Sequence, residues 1–291
     1  MAARLEALLA HFLVVARKPW VRRLGMLAAT LLFAGGLFLS VTQMDGGVSI
    51  HSWGGLAFAT LVLVPLLIAL NGMEMKLAAG LVGVGMPFAT ALRVSVQASA
   101  ANLLPLPAGP MLRAAAVMGG GASLARGGLS VLLPAFLWLA LGLLISAVAG
   151  FYAGAGQAAA ILCLLGLAVA FLVVVIAVRT RLDRRSLAAL LVVKLLTAIL
   201  DLLALYLLFE AIGVAATLAQ AGMLAASAPL GAAVAVVPSG LGVRELAASG
   251  LGVMGGLSAA SAFLVPSLLR IIFLAVLLPL SLVFALLRPA S

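Results

Sequence analysis

The sequence predicts an all-α fold, a polytopic membrane helix bundle. Of its 291 residues, 66% are hydrophobic and only 8% are charged, which leaves too few polar side chains to cover a water-soluble protein of this size. The mean hydropathy is +1.36, and the apolar residues form runs near the length of about 20 that a helix needs to cross a bilayer. We expect six to eight spans plus two broken or re-entrant helical segments.

The first 23 residues are predicted to form an interfacial amphipathic helix, and residues 24–291 a single transmembrane domain. Apolar residues recur at helical spacing from Leu5 to Leu13, and four basic residues follow, at 17, 18, 22 and 23. The first predicted span, Leu24 to Val41, is followed by TQMDGG rather than by a small-x-small cleavage site. We therefore expect an uncleaved span and a cytoplasmic N-terminus.

Further predicted spans follow along the chain and are separated by short loops. The loop after the first span carries only Asp45 and His51 as ionisable residues, whereas RTRLDRR occupies positions 179 to 185. Because basic loops stay in the cytoplasm, the first loop is predicted to lie outside and the arginine loop inside. The predicted spans are Trp53 to Leu70, Gly128 to Tyr152, Ala158 to Val178, Leu187 to Phe209 and Ala262 to Leu287.

Two regions, Pro87 to Met118 and Met223 to Val253, do not fit a plain span. Proline and glycine within them free backbone groups that lipid cannot satisfy, so each is predicted to be a helix, a break and a second helix, buried in protein or lining a wet cavity. Both contain P-x-G-x-x-x-R, and the two copies lie 131 residues apart. This recurrence indicates either an inverted repeat or chance similarity; the matched residues are Pro107, Gly109 and Arg113, and Pro238, Gly240 and Arg244.

Arg244 is the first candidate for binding a substrate. The glycines at 240 and 242 precede a helix whose first N–H groups would be free, and a helix N-terminus with an arginine is suited to a phosphate. The alternative is that Arg244 pairs with Glu245 or with a helix C-terminus and only holds the break in place. Arg113 follows the same logic, with a cytoplasmic anchor as its alternative.

Three charged residues inside predicted spans form a candidate intramembrane network. Lys194 and Asp201 are seven residues apart and share one helix face. Arg270, in the last span, is a candidate partner of Asp201 or Glu245, because an unpaired buried ion is far more costly than a paired one. Such a network either locks helices together or takes part in proton coupling or headgroup contact.

For other polar residues the sequence predicts a position but no single function. Ser95, Ser99 and Asn102 share a helical face, where they either line a path or form hydrogen bonds between helices. Glu74 and Glu210 lie near predicted span ends and are expected at the interface.

The sequence offers no enzyme motif, and we assign no catalytic residue, metal or cofactor. There is no G-x-S-x-G, H-E-x-x-H, Walker-type GK[ST] or GxGxxG following a strand, and a single cysteine and two distant histidines do not make a metal site. The net charge of +10 is concentrated at the ends of apolar runs. Anionic lipid headgroups are therefore the expected partners, and nucleic acid is not.

PSGLGVRE at 238 to 245 and NLLPLPAGPMLRA at 102 to 114 resemble the lysylphosphatidylglycerol synthase transmembrane-region family, a flippase-like membrane domain. The resemblance extends from about Trp53 to Arg288. The first element departs from the family in having Pro-Met-Leu directly before the arginine. The residues that match the family's motifs are Gly240, Gly242, Arg244 and Glu245, and Asn102, Pro105 or Pro107, and Gly109. The resemblance makes Arg244, Glu245, Gly240, Gly242, Asn102 and Gly109, together with Arg113, the expected substrate-binding residues.

The resemblance implies a lipid translocase of a bacterial-type plasma (inner) membrane that moves a phospholipid or related polar lipid between leaflets. Its headgroup phosphate would bind Arg244 and Arg113, and rocking of the broken segments would expose the site to each leaflet in turn. One alternative is an accessory membrane subunit of an aminoacyl- or glycosyl-lipid enzyme. The other is a membrane-embedded transferase with Glu245 or Asp201 as general base.

Overall fold

The computed structural model describes residues 19–44, 49–103, 108–233 and 240–287. Over these residues it contains ten helices and no strand, so the predicted all-α bundle is confirmed. Most of the predicted interfacial helix and the prolines at 105, 107 and 238 lie outside the described residues. The helices are α1 Pro19–Thr42, α2 Trp53–Leu81, α3 Phe88–Ala101, α4 Ala108–Gly119, α5 Leu124–Tyr152, α6 Gly156–Arg179, α7 Arg184–Ala211, α8 Leu218–Ala233, α9 Val243–Met254 and α10 Ala259–Leu286.

Six of the described helices, α1, α2, α5, α6, α7 and α10, are long and apolar enough to cross a membrane. They coincide with the six predicted spans except that α2 continues to Leu81, well past the predicted end at Leu70. The extension contains Glu74 and Lys76, which interrupt the apolar run in the sequence. Within α2, Ala59–Leu63 form a π-helical turn that ends two residues before Pro65. Proline has no backbone N–H, so it cannot donate the regular hydrogen bond of an α-helix at this position.

The remaining four helices form two hairpins, which confirms the predicted helix, break and helix in each region. The first hairpin is α3 and α4, and the second hairpin is α8 and α9; in each, the two helices pack against one another. The 14 residues of α3 and the 12 of α4 and α9 give lengths of about 18–21 Å, too short for a hydrocarbon core of about 30 Å. Helices of this length agree with the prediction of re-entrant segments, which enter and leave a bilayer on one side.

Glycines allow the helices of each hairpin to approach closely. A Cβ on Gly109 would lie 2.0 Å from Oδ1 of Asn102, and one on Gly240 would lie 2.3 Å from the carbonyl oxygen of Gly231. Gly240 and Gly242 also have positive φ angles of 63° and 77°, which side chains other than glycine rarely adopt. The predicted break before α9 thus depends on both glycines.

The order of elements repeats across the chain. A long helix, a hairpin and a second long helix occur as α2, the first hairpin and α5, and again as α7, the second hairpin and α10. Three candidate spans, α5, α6 and α7, separate the two hairpins. If all three cross a bilayer, the hairpins would lie on opposite sides of it, as expected for the predicted inverted repeat.

The core lies where α2, α7, α10 and the second hairpin meet. Its fully buried side chains include Val64, Phe209, Met223 and Val265. By contrast, α1 is peripheral: it packs on α10 and against Gly242, and its other face exposes large apolar side chains. This exposed face has the composition expected of a surface in contact with lipid tails.

Candidate functional site

Charged side chains extend through the interior of the bundle from one hairpin to the other. Lys194 and Asp201 each lie about 5 Å from the midpoint of α7 along its axis, on opposite sides of it. The other members come from α2, both hairpins and α10. We call this set the charge network; its residues are Glu74, Arg113, Lys194, Asp201, Arg244, Glu245 and Arg270.

At one end of the charge network, Glu74 neutralises two cations. Its Oε2 accepts a hydrogen bond of 2.7 Å from Nζ of Lys194, and its Oε1 lies 3.5 Å from Nη1 of Arg113. Arg113 also donates to Oγ of Ser95 at 3.5 Å. Glu74 is only 5% exposed, so the prediction of an interfacial Glu74 is wrong. No local pattern indicates this pairing, because the partners of Glu74 are 39 and 120 residues away.

Trp138 connects this cluster with the centre of the bundle. Its ring lies 5.2 Å from Nζ of Lys194, within the range of a cation–π interaction. Trp138 stands at the middle of α5 and lines a narrow cleft together with Asp201 and Arg244.

At the other end, Glu245 and Arg270 form the second buried ion pair. Oε1 of Glu245 lies 3.1 Å from Nη1 of Arg270, and Glu245 is completely buried. Its Oε2 accepts a hydrogen bond of 2.8 Å from the backbone N–H of Gly242. Of the two predicted partners for Arg270, Glu245 is therefore the one in direct contact. The carboxylate of Glu245 thus caps the N-terminus of its own helix, α9, where the sequence predicted free N–H groups.

Arg244 occupies the position between the two pairs. Among the described residues no carboxylate lies within salt-bridge distance of it, and its buried Nε has no hydrogen-bond partner. The alternative that it pairs with Glu245 is thus wrong. Its Cα and Cβ pack on Gly231, where an added Cβ would come within 2.9 Å of both atoms. Asp201, which lines the same cleft, is within electrostatic reach of both Arg244 and Lys194.

The charge network has an excess of positive charge when all its members are ionised. Four cations, Arg113, Lys194, Arg244 and Arg270, face three carboxylates, Glu74, Asp201 and Glu245. The ion pairs of Glu74 and Glu245 leave Arg244 and Asp201 at the cleft. Asp201 offsets part of the charge of Arg244, but it is not in salt-bridge contact, so the guanidinium group can bind an anion directly. The cleft has room for about one water molecule in this conformation, so a lipid headgroup would require the helices to separate.

The remaining predicted site residues shape the hairpins. Gly240 and Gly242 form the break that positions Arg244, whereas Asn102 and Gly109 contact one another in the first hairpin. Neither Asn102 nor Gly109 belongs to the described lining of the cleft. Within the described part of the chain, no three His, Cys, Asp or Glu side chains are grouped to hold a metal ion.

Comparison with known proteins gives no match for this chain, either among models of protein families or among curated protein sequences.

Proposed function

We propose that this protein is a lipid translocase that moves a phospholipid or related polar lipid between leaflets. The observation that carries the proposal is Arg244, a cation in the interior of a membrane bundle whose described surroundings contain no carboxylate in salt-bridge contact. Arg244 is partly buried and its Nε is fully buried without a hydrogen-bond partner, and an ionisable residue inside a membrane bundle marks a functional site. A guanidinium group binds phosphate through two parallel hydrogen bonds.

The arrangement of hairpins supports a route for the headgroup. Arg113 and Arg244 lie on the second helix of the first and second hairpin. In the proposed arrangement the two hairpins enter the bilayer from opposite sides. In the proposed mechanism the headgroup phosphate passes between them while the acyl chains remain in the bilayer. Rocking of one half against the other would open the cleft to each leaflet in turn.

The distribution of basic residues supports the proposed orientation. The loops on one side are flanked by basic residues, whereas the described loops on the other side, 49–52, 153–155, 212–217 and 255–258, contain no lysine or arginine. Because basic loops remain in the cytoplasm, we propose a cytoplasmic N-terminus in a bacterial-type inner membrane. The basic residues on that side are Lys76, Arg126, Arg179, Arg181, Arg184 and Arg185.

The match of Gly240, Gly242, Arg244 and Glu245 to the late motif of the lysylphosphatidylglycerol synthase transmembrane-region family supports the same proposal. In that context Glu245 fixes the start of α9 and does not contact the lipid, since its oxygens face Gly242 and Arg270. Arg244 and Arg113 are the residues proposed to bind the headgroup.

The test is a flip assay in proteoliposomes that contain fluorescent phosphatidylglycerol, with dithionite bleaching the outer leaflet. Replacing Arg244 or Arg113 by alanine removes charge-assisted hydrogen bonds, so we expect flip rates to fall about ten-fold or more. Arg126→Ala is the matched control, because Arg126 is an exposed arginine at the start of α5. Equal rates for all four proteins, or a wild-type rate no higher than that of empty liposomes, would overturn the proposal.

A further inference from the structure

A groove separates α6 from α7 at the arginine-rich end of both helices. Although a loop of four residues joins them, α6 packs along α5 and makes almost no contact with α7. Val174, Val178 and Leu187 line the apolar part of the groove, and Arg181 and Arg184 line its charged end. Val174 and Val178 are 57% and 71% exposed. The groove is therefore an apolar channel with two cations at its mouth.

The turn between these helices has an unusual residue at its key position. The N–H of Leu182 donates to the carbonyl oxygen of Ala177 at 3.3 Å, and Arg181 has a φ of 50°, which together form a Schellman motif. Such motifs usually place glycine at this left-handed position. In the described residues Arg181 is the only residue other than glycine with positive φ, whereas the corresponding turns after α2, α4, α5, α7 and α9 use Gly83, Gly121, Gly154, Gly213 and Gly256.

An arginine in place of glycine indicates that the side chain itself is needed. A non-glycine residue in the left-handed region is strained, and such strain is concentrated at functional sites. Asp183, the one acid of the loop, is directed to the start of α7, where its carboxylate accepts from the backbone N–H groups of Ser186 at 2.8 Å and Arg185 at 3.4 Å. Asp183 is not part of the groove lining, so the mouth of the groove remains cationic.

We propose that this groove binds an anionic phospholipid. Its phosphate contacts Arg181 and Arg184, and an acyl chain lies along Val174, Val178 and Leu187. Charge complementarity selects an anionic over a zwitterionic headgroup, as in basic pockets between membrane helices. The lipid fills the space between α6 and α7 that no protein side chain occupies. The site is separate from the cleft at Arg244, which α6 does not line.

The test is native mass spectrometry of the detergent-solubilised protein with equal amounts of phosphatidylglycerol and phosphatidylcholine. Wild type is expected to retain phosphatidylglycerol preferentially, and Arg181→Gly and Arg184→Ala are each expected to weaken retention about five-fold. The matched control is Arg185→Ala, since Arg185 belongs to the same loop region but does not line the groove. Arg181→Gly also relieves the left-handed strain, so it should melt at or above the wild-type temperature without lipid, which separates lost binding from lost folding.

Two results would overturn the proposal. One is equal retention of the two lipids by wild type. The other is unchanged retention of phosphatidylglycerol by the Arg181→Gly/Arg184→Ala double variant. Arg244→Ala distinguishes this site from the central cleft: it is expected to keep the groove lipid whether or not the protein translocates lipid. Loss of phosphatidylglycerol in Arg244→Ala, with the double variant unaffected, would assign the lipid to the cleft instead.

Discussion

Replacing Glu74 by glutamine removes the carboxylate that neutralises two cations inside the bundle. At 2.7 Å from Lys194 and an effective dielectric constant of about 20, the direct attraction is about 6 kcal/mol. Desolvation of both groups offsets part of this, and the net cost of leaving one buried partner unpaired is about 3–5 kcal/mol. Arg113 contributes less to this cost than Lys194, because its side chain is 20% exposed and its distance to Glu74 is 3.5 Å. For a chain of this size the loss corresponds to a decrease of about 6–10 °C in melting temperature.

The assay is a thermal melt of the purified protein in detergent, followed by size-exclusion fluorescence. Glu210→Gln is the matched control, since Glu210 is an exposed acid at the end of α7, and it should melt like wild type. Glu74→Gln/Lys194→Met removes both ends of the closer pair and should recover about half of the loss. A Glu74→Gln protein that melts within 1–2 °C of Glu210→Gln, roughly the effect of an ordinary surface substitution, would refute the assignment of Glu74 as a buried counter-ion.

Three further predictions concern the second hairpin and the loop between α6 and α7. Gly240→Ala places a Cβ at a residue with positive φ and in contact with the backbone of Gly231, so this variant should not be expressed as a monodisperse protein. Gly250→Ala is the control: its Cβ would meet nothing within 4 Å, and it should be expressed normally. Glu245→Gln should lower the melting temperature by an amount similar to Glu74→Gln, and adding Arg270→Met should restore part of it. Hydrogen bonds from the first turn of α7, chiefly those of Ser186, hold the pKa of Asp183 below its ordinary value of 3.8. The stabilisation that the ionised Asp183 gives to the start of α7 is present above pH 3.8 and is lost as the pH falls through the lower pKa of the folded protein. Asp183→Asn should therefore reduce the change in melting temperature with pH between these two pKa values.

The sequence predicted the spans well because crossing a bilayer demands a local property, a long apolar run. Its one large error, the end of α2 at Leu70, arose at the residues that break this rule. Glu74 interrupts the apolar run and was expected at the interface, yet Lys194 and Arg113 compensate its charge in the interior. Such compensation depends on contacts across 39 and 120 residues, which periodicity and composition do not encode.

The second hairpin was predicted more fully because its signals are local. The glycines at 240 and 242 indicated a break, and the structure gives both positive φ. The sequence predicted Asp201 or Glu245 as the partner of Arg270, because an unpaired buried ion is costly, and in the structure Arg270 forms its ion pair with Glu245. What the sequence could not provide was the direction of the Glu245 side chain, which caps its own helix instead of leaving that end open.

The repeated order of long helix, hairpin and long helix suggests how a second conformation could arise without new structure. One unit is α2, the first hairpin and α5, and the other is α7, the second hairpin and α10. If each unit adopted the packing that the other has now, every helix would form contacts of a kind already present in this fold. The exchanged conformation would be related to the present one by a two-fold rotation about an axis in the plane of the membrane, so the cleft at Arg244 would face the other side. Two end states related in this manner need differ little in free energy, so a small bias from a bound lipid would suffice to shift between them.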